Sequence, residues 1–412
     1  MTRMKESGID WIGQMPEEWE SGKVKYFSKI SAGATPDRNN LLFWNGDINW
    51  MSSGEVNQEI VKYTAETITN LALKKSSTKL LPIGTVMLAM NGQGKTKGTV
   101  AILAIETASN QSLASFIVDG NRLNNQYLYY FFKAGYSYIR GLKGEDRDGL
   151  NLQLVSNITV LLFDIKEQQK IADFLDKRTT QLDKVKSLLE EQIRKLKDYR
   201  ASLIYETVTK GLDKTVPLKD SGIDWIGQVP QGWGVSRLKY YFDIYAGGDI
   251  DERNTVEEYS ESHPYPVLSN SLENEGVLGY TNKYRFKKNC VTVTGRGDVG
   301  KAVYRNIKFY PVVRLLVCVP KSQVDCRFVT YWINSAIIEK NQTAVSQLTI
   351  QMLGELIFVN VPFLEQKNIA DFLAKKTNQI DKLIQIKNQQ IDNINKRRQT
   401  LIYDYVTGKR RV

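Results

Sequence analysis

Two passages of this chain are written twice, in the same order, and that constrains its architecture more than any single motif does. ESGIDWIGQMP at 6–16 returns as DSGIDWIGQVP at 220–230, identical at nine of eleven positions. The match runs on through Trp19 and Trp233 to Lys25-Tyr26 and Lys239-Tyr240, always 214 residues apart. EQQKIADFLDKRTTQLDK at 167–184 returns as EQKNIADFLAKKTNQIDK at 365–382, identical at twelve of eighteen positions but 198 residues apart. The unequal spacings mean that the material between the blocks differs in length as well as in sequence. The chain is a duplicated module with constant flanks and unlike interiors. Such a plan suggests one task performed twice on two different targets.

The second constant block opens a helix in each copy. Leu175, Leu182, Leu189, Leu196 and Leu203 recur every seven residues, with Ile171, Val185, Ile193 and Tyr199 on the adjacent stripe. Leu373, Ile380, Ile394 and Leu401 keep the same phase in the other copy, broken once by Lys387. Lys, Arg, Glu and Gln flank both seams, the pattern of a heptad stripe. Asp164 before Glu167 reads as a capping box, and Pro362 holds the equivalent place. Gly211 and Gly408 mark the ends. Each helix should run about 40 residues, or about 60 Å. Two such seams in one chain most simply pack on each other.

The interiors, 23–163 and 237–362, alternate short β-branched or aromatic runs such as TVMLAM, TVAILAI, VTVT and VVRLLVCV with Gly, Asn, Asp and Ser punctuation. One helix is expected in each, over 123–135 and 326–340. Each module therefore reads as a mixed α+β domain, mostly sheet.

Lys+Arg number 56 against 45 Asp+Glu, a net charge of +11, which favours a polyanionic partner. No apolar run approaches the roughly 18 residues of a membrane span, and Met1 to Pro16 does not read as a signal peptide. Three scattered cysteines, Cys290, Cys318 and Cys326, with the single histidine His263, form no zinc pattern and suggest a reducing, cytoplasmic setting. His263, before a proline in a polar stretch, reads as a surface-loop residue rather than a catalytic base.

Two glycine motifs invite a nucleotide reading and fail on context. Ala89-Met-Asn-Gly92-Gln-Gly94-Lys95-Thr96 fits a relaxed phosphate loop, but the next run, GTVAIL, is strand-like where a helix is needed. Gly295-Arg-Gly297-Asp-Val-Gly300 fits a dinucleotide fingerprint, but KAVYRNIKFYPVV follows it and no acid lies about 20 residues on. The repeat explains both as one hairpin whose tip differs, NGQGKTKG against GRGDVG. Glu365-Gln-Lys367 imitates a nuclease motif, yet its counterpart Glu167-Gln-Gln169 lacks the lysine. No two prolines are adjacent, so the Asn-Pro-Pro-aromatic motif of amino-methyltransferases is missing. The chain reads as non-catalytic.

Two variable modules, each followed by a long helix opening EQQKIADFLD or EQKNIADFLA, resemble the specificity (S) subunit of type I restriction–modification enzymes. SAGATPDRNNLLFWNGDINWMSS (31–53), LPIGTVMLAMNGQGKTKGTVAI (81–102) and ASNQSLASFIV (108–118) look like that family's target-recognition domain. The second module keeps the frame but departs at 246–260, AGGDIDERNTVEEYS. The resemblance implies target-recognition domains at 1–163 and 213–362 and conserved spacer helices at 164–212 and 363–412. The helices would form an antiparallel coiled coil with pseudo-twofold symmetry, hold the two domains at a set spacing, and let each read one half of a bipartite, asymmetric DNA site. It further implies no catalysis and no cofactor in this chain. Two modification (methyltransferase) subunits would use S-adenosylmethionine, and restriction subunits would use ATP and Mg. A stand-alone two-headed DNA-binding regulator and a nucleotide-binding enzyme are the competing classes. Trp11 and Trp225 are candidates for partner contact or for simple tucking against each module.

Polar and basic residues on loops between predicted strands are the candidate DNA contacts. In the first module these are Ser52, Ser53, Asn91, Gln93, Lys95, Thr96 and Lys97. In the second they are Asn270, Ser271, Arg296, Lys301 and Gln347.

Overall fold

The computed structural model describes residues 3–92, 94–142, 149–340 and 347–412, with the helical backbone alone for 337–340. The chain divides into two units, Met1–Leu188 with Gln389–Val412, and Leu189–Asn388. Each takes its sheets and short helices from one module and a segment from each long helix.

In the first unit, β1 (Ser28–Ala32), β2 (Trp44–Met51), β3 (Ile60–Val61), β4 (Glu66–Ile68), β5 (Val86–Ala89), β6 (Val100–Leu103), β7 (Ala108–Ser109) and β8 (Leu113–Val118) make two sheets. The larger runs β1-β8-β5-β6-β3, antiparallel except for β3 beside β6; the smaller runs β7-β2-β4. Strand periodicity assigns the faces. Val86 and Leu88 of β5 join the main core while Met87 and Ala89 join a second cluster with Met51, Val56 and Val61. Both faces are covered, which is why the run is continuously apolar. Helix α1 (Asn125–Ala134), capped where the Asn124 side chain accepts from the Tyr127 N–H at 2.9 Å, buries Tyr127 to Phe132 in the main core. A short α2 (Tyr136–Gly141) follows.

Helix α3 (Ile165–Lys210) then runs 46 residues, somewhat longer than the heptad count suggested. The Asp164 carboxylate accepts from the backbone N–H of Lys166 and Glu167, satisfying two first-turn donors.

The second unit repeats the plan with β9 (Phe242–Ala246), β10 (Thr255–Val256), β11 (Tyr265–Leu268), β12 (Val277–Thr281), β13 (Cys290–Thr294), β14 (Ala302–Arg305), β15 (Tyr310–Pro311) and β16 (Leu315–Pro320). Its sheets are ordered β9-β16-β13-β14 and β10-β12-β11-β15. Alternation recurs along β16: Leu316 and Cys318 face the main core, Leu315 and Val317 a smaller one. Helix α4 (Cys326–Lys340) takes the place of α1, and α5 (Phe363–Val406) runs 44 residues. All three cysteines are buried, and burial raises their thiols, to about 11 at Cys290 and about 12 at Cys326. They pack as small apolar residues. His263 is half-buried in its loop, Nδ1 against the Ser262 hydroxyl.

Each unit contains an antiparallel helix pair. In the first, Arg398 meets Asp183 at 3.2 Å and Phe174 meets Tyr405 with ring centroids 4.5 Å apart. In the second, Arg200 meets Asp381 at 3.1 Å, and Lys387, the break in the seam, donates to Gln192 at 2.6 Å. In every pair one residue number rises as the other falls. Ile171 and Leu175 of α3 share the first main core with Ile402 and Val406 of α5; Ile204 and Val208 of α3 share the second with Ile369 and Leu373 of α5. Each module's core is thus completed by the end of the other module's helix.

Of the seam, Leu175, Leu373 and Ile380 are buried, while Leu182, Leu189, Leu196, Leu203, Ile394 and Leu401 are half-buried. Val185 and Tyr199 depart from expectation, being 47% and 56% exposed. A pair of helices covers only a narrow stripe, so residues beside it stay outside. Gly408 (φ 72°) and Gly211 (φ 73°) end the helices in the left-handed region. A Cβ on Gly408 would also meet Pro16 at 2.5 Å, so that helix end closes directly on the repeated segment. Among the described residues no helix is long and apolar enough to cross a membrane.

Candidate nucleic-acid interface

The two glycine motifs are equivalent hairpin loops, β5 to β6 and β13 to β14, with both strand pairs antiparallel. Neither leads into a helix, so neither can cradle a phosphate on a helix N-terminus.

The first loop is held from outside. Arg140 on α2 donates to the Gly94 carbonyl at 2.8 Å, Tyr136 donates to the Lys95 carbonyl at 2.9 Å, and the Thr99 hydroxyl donates to the same carbonyl at 2.8 Å. Asn91 and Lys95 are exposed and Thr96 is half-buried. Gln93 lies outside the described residues. Lys97 corrects the sequence reading: it is 2% exposed and its ammonium has no hydrogen-bond partner among the described residues, so in this conformation it cannot reach a phosphate. The turn itself is the reason: the Gly98 N–H donates to the Ala89 carbonyl at 2.8 Å and draws Lys97 in against the sheet before β6 begins. Ser52 and Ser53 are half-buried at the start of a 3-10 turn, where the Ser52 N–H donates to the Glu55 carboxylate at 2.5 Å.

In the second module the structure gathers the candidates around Gly295. Its N–H donates to Asn270 Oδ1 at 2.8 Å, and its carbonyl accepts from the Leu348 N–H at 3.0 Å. Arg296, Ser271 and Gln347 are therefore neighbours of one hairpin root, and all three are exposed. Asn270 and Lys301 are half-buried; the Asn270 amide also donates to the Val313 carbonyl.

Beside each hairpin lies a cleft against the helices, which sequence reasoning missed. In the first unit it measures about 370 Å3, with Glu59, Lys133, Tyr136, Asn395 and Arg398 among its lining. Glu59 pairs with Lys133 at 2.6 Å and with Arg398 at 2.8 Å. Burial would raise the Glu59 carboxyl, but the two cations outweigh it and hold it below the usual range. Burial, reinforced by Arg398 and opposed by Glu59, brings Lys133 down to about 8. Glu59 itself sits at φ 61°, a conformation L side chains rarely adopt, at a cost of about 1–3 kcal/mol. In the second unit the cleft is about 290 Å3 and is lined by Lys197, Arg200 and Lys301 with Leu272, Tyr331, Asn334 and Ser335. One signal could have found both: Arg200 and Arg398, like Asp183 and Asp381, lie 198 residues apart, the interval of the helical repeat.

Other candidates resolve into structure. Trp11 is half-buried against Phe131, Tyr138 and Tyr403, and Trp225 against Trp332. The nuclease-like Glu365 accepts from Trp233 Nε1 at 3.0 Å, while Glu167 pairs with Arg411. Trp19 stacks on Phe163 with centroids 3.7 Å apart. In the first module Arg38 lies over Trp44 and Trp50, 4.0 and 5.0 Å from the ring centres, and pairs with Glu66.

The fold and the site define a class: a doubled α+β recognition unit whose hairpins present polar loops beside a shared helix pair. A family model for the type I restriction modification DNA specificity domain matches residues 16–196 and 230–396. The chain belongs to that family. It is 26% identical over 277 residues to the type I restriction enzyme MjaIX specificity subunit of Methanocaldococcus jannaschii, covering 65% of this chain and 60% of the relative. With the MjaVIII specificity subunit of the same organism it shares 21% over 436 residues, covering 97% and 94%. The chain spans well under two thirds of some curated relatives, 35% of one type I specificity subunit from Mycoplasma pneumoniae. A structure solved for complex assembly and conformational transition of the type I R-M system shares the fold at TM-score 0.78 and 13% identity, covering 96% of this chain and 99% of that one. The HsdS subunit from Thermoanaerobacter tengcongensis does so at TM-score 0.55 and 14% identity, covering 96% and 98%.

Proposed function

We propose that this chain is the non-catalytic specificity subunit of a type I restriction–modification complex, each module reading one half of a bipartite, asymmetric DNA site. The observation that carries this is the contrast within the repeat: the frame and helix pair recur while the hairpin tips differ, NGQGKTKG against GRGDVG. A shared frame suits a shared scaffold and shared partners; unlike tips suit two unrelated half-sites. Exposed cations at the tips, Lys95 and Arg296, suit phosphate oxygens and the acceptor edge of guanine. The net charge of +11 supports the same reading.

Two methyltransferase subunits dock on this scaffold and methylate adenine with S-adenosylmethionine; restriction subunits add ATP- and Mg-dependent cleavage. The chemistry and its cofactors belong to those partners, in the cytoplasm. Leu188, Leu383 and Ile386, apolar and 47–50% exposed on the long helices, support such docking. The helix pair sets the unread gap between half-sites.

Exchanging residues 23–163 for another such module should change one half-site and leave the other intact. Methylome sequencing of a host carrying the chimera with its methyltransferase reads this out. Alteration of both half-sites would overturn the reading.

A further inference from the structure

The clefts beside the two hairpins occupy equivalent places but differ in charge. In the first, Glu59 pairs with both Lys133 and Arg398. In the second, three cations line the cleft with no carboxylate among the lining residues. Arg200 is paired to Asp381, while Lys197 and Lys301 have no ion pair among the described residues. Lys301 sits at the foot of the hairpin, its backbone N–H donating to the Thr294 hydroxyl at 2.9 Å. Asn334 on α4 fixes that strand by bonding both the N–H and the carbonyl of Ala302. Lys197 and Arg200 come from α3. A rigid hairpin foot and a helix therefore converge cations on one pocket next to the exposed Arg296 and Ser271.

Three cations with only Asp381 to pair one of them repel each other, and an arriving anion relieves that repulsion. We infer that this cleft binds a phosphate group of the DNA backbone beside the half-site that the second module reads, making α3 a DNA-contacting element as well as a scaffold. The first module has no such contact: Asn395 stands at the position equivalent to Lys197, and both cations of the cleft are already ion-paired. The inference rests on the proposed DNA reading and adds a side-specific backbone anchor.

The test is the salt dependence of duplex binding by the full chain assembled with its methyltransferase subunits. Each phosphate contact contributes about 0.9 to the slope of log affinity against log salt. Lys197→Met should make the slope shallower by about one such step and weaken binding several-fold, with Lys197→Arg restoring both. Lys197→Met with Lys301→Met should remove about two steps, and Asn395→Ala none. Thermal melting with inorganic phosphate and no DNA separates the sources. Stabilisation by phosphate that Lys197→Met abolishes, together with an unchanged DNA slope, would mean a free-anion site and overturn the DNA assignment. An unchanged slope without phosphate stabilisation overturns it equally. If the unmodified assembly showed no salt-dependent duplex binding, the DNA reading itself would fail.

Discussion

The two modules share a frame and solve the same local problem in opposite ways. Each helix pair places an arginine, Arg398 or Arg200, against an aspartate of the partner helix and beside the recognition hairpin. In the first module the variable interior answers with Glu59, held at a positive φ, and builds a closed network with Lys133 and Tyr129. In the second it answers with Lys301 and leaves positive charge in place. A constant scaffold can thus support either a self-satisfied joint or a charged one. The variable interior therefore also decides how each module is fastened.

The sharpest way to break the comparison is to remove the acid. Glu59→Gln leaves the backbone alone but takes the carboxylate from Lys133 and leaves Arg398 with Asp183 alone, at side chains 20% and 16% exposed. It should cost about 2 kcal/mol, the scale of a lost hydrogen bond to a charged group. Asp381→Asn, whose pair with Arg200 is 39% and 54% exposed, should cost under about 1 kcal/mol. Urea unfolding of both variants measures the gap; equal losses would mean the two joints are energetically alike.

A smaller difference is expected at the hairpins. Gly98 has φ 83° and a Cβ there would meet Arg140 at 3.3 Å, whereas Gly297 has φ 73° and open space. Gly98→Ala should cost about 1–2 kcal/mol and Gly297→Ala about 1 kcal/mol or less, the left-handed penalty alone. If Gly297→Ala were the more damaging, the second hairpin would be the one under tighter packing.

A pH slope tests the first network in another way. Burial lowers Lys133 from the ordinary lysine value of 10.5 to about 8. Between about pH 8 and 10.5 the unfolded chain therefore holds this proton more firmly, and unfolding free energy should rise with pH through that window. Lys133→Met should flatten the rise, as read from urea midpoints at pH 7.5, 9 and 10. On the acid side Glu59, held below its usual range, contributes stability above about pH 4.5 that is lost as pH falls.

Much of the frame was legible beforehand because it rests on periodicity and repetition, which are properties of the chain itself. A seven-residue stripe of leucines predicts a paired helix wherever the rest of the chain lies, and helix ends announce themselves at Asp164, Gly211 and Gly408. The hairpin nature of both glycine loops followed from the strand-like residues after them. The candidate site was legible only as loops. Which side chain on a loop faces outward depends on how the turn folds back on its sheet, and two positions decide it: Lys95 is exposed and Lys97 is buried.

The sequence by itself determined a duplicated α+β protein with two long, heptad-striped helices and unlike hairpin loops, since local pattern and internal comparison suffice for each of these. Only the tertiary structure decided that each core is closed by the other module's helix end, and that Glu59 pairs the cations of one cleft while Lys197, Arg200 and Lys301 charge the other. Those facts depend on residues far apart in the chain meeting in space. The free energy of bringing charges together is set by distance and burial after folding, which no spacing along the sequence encodes.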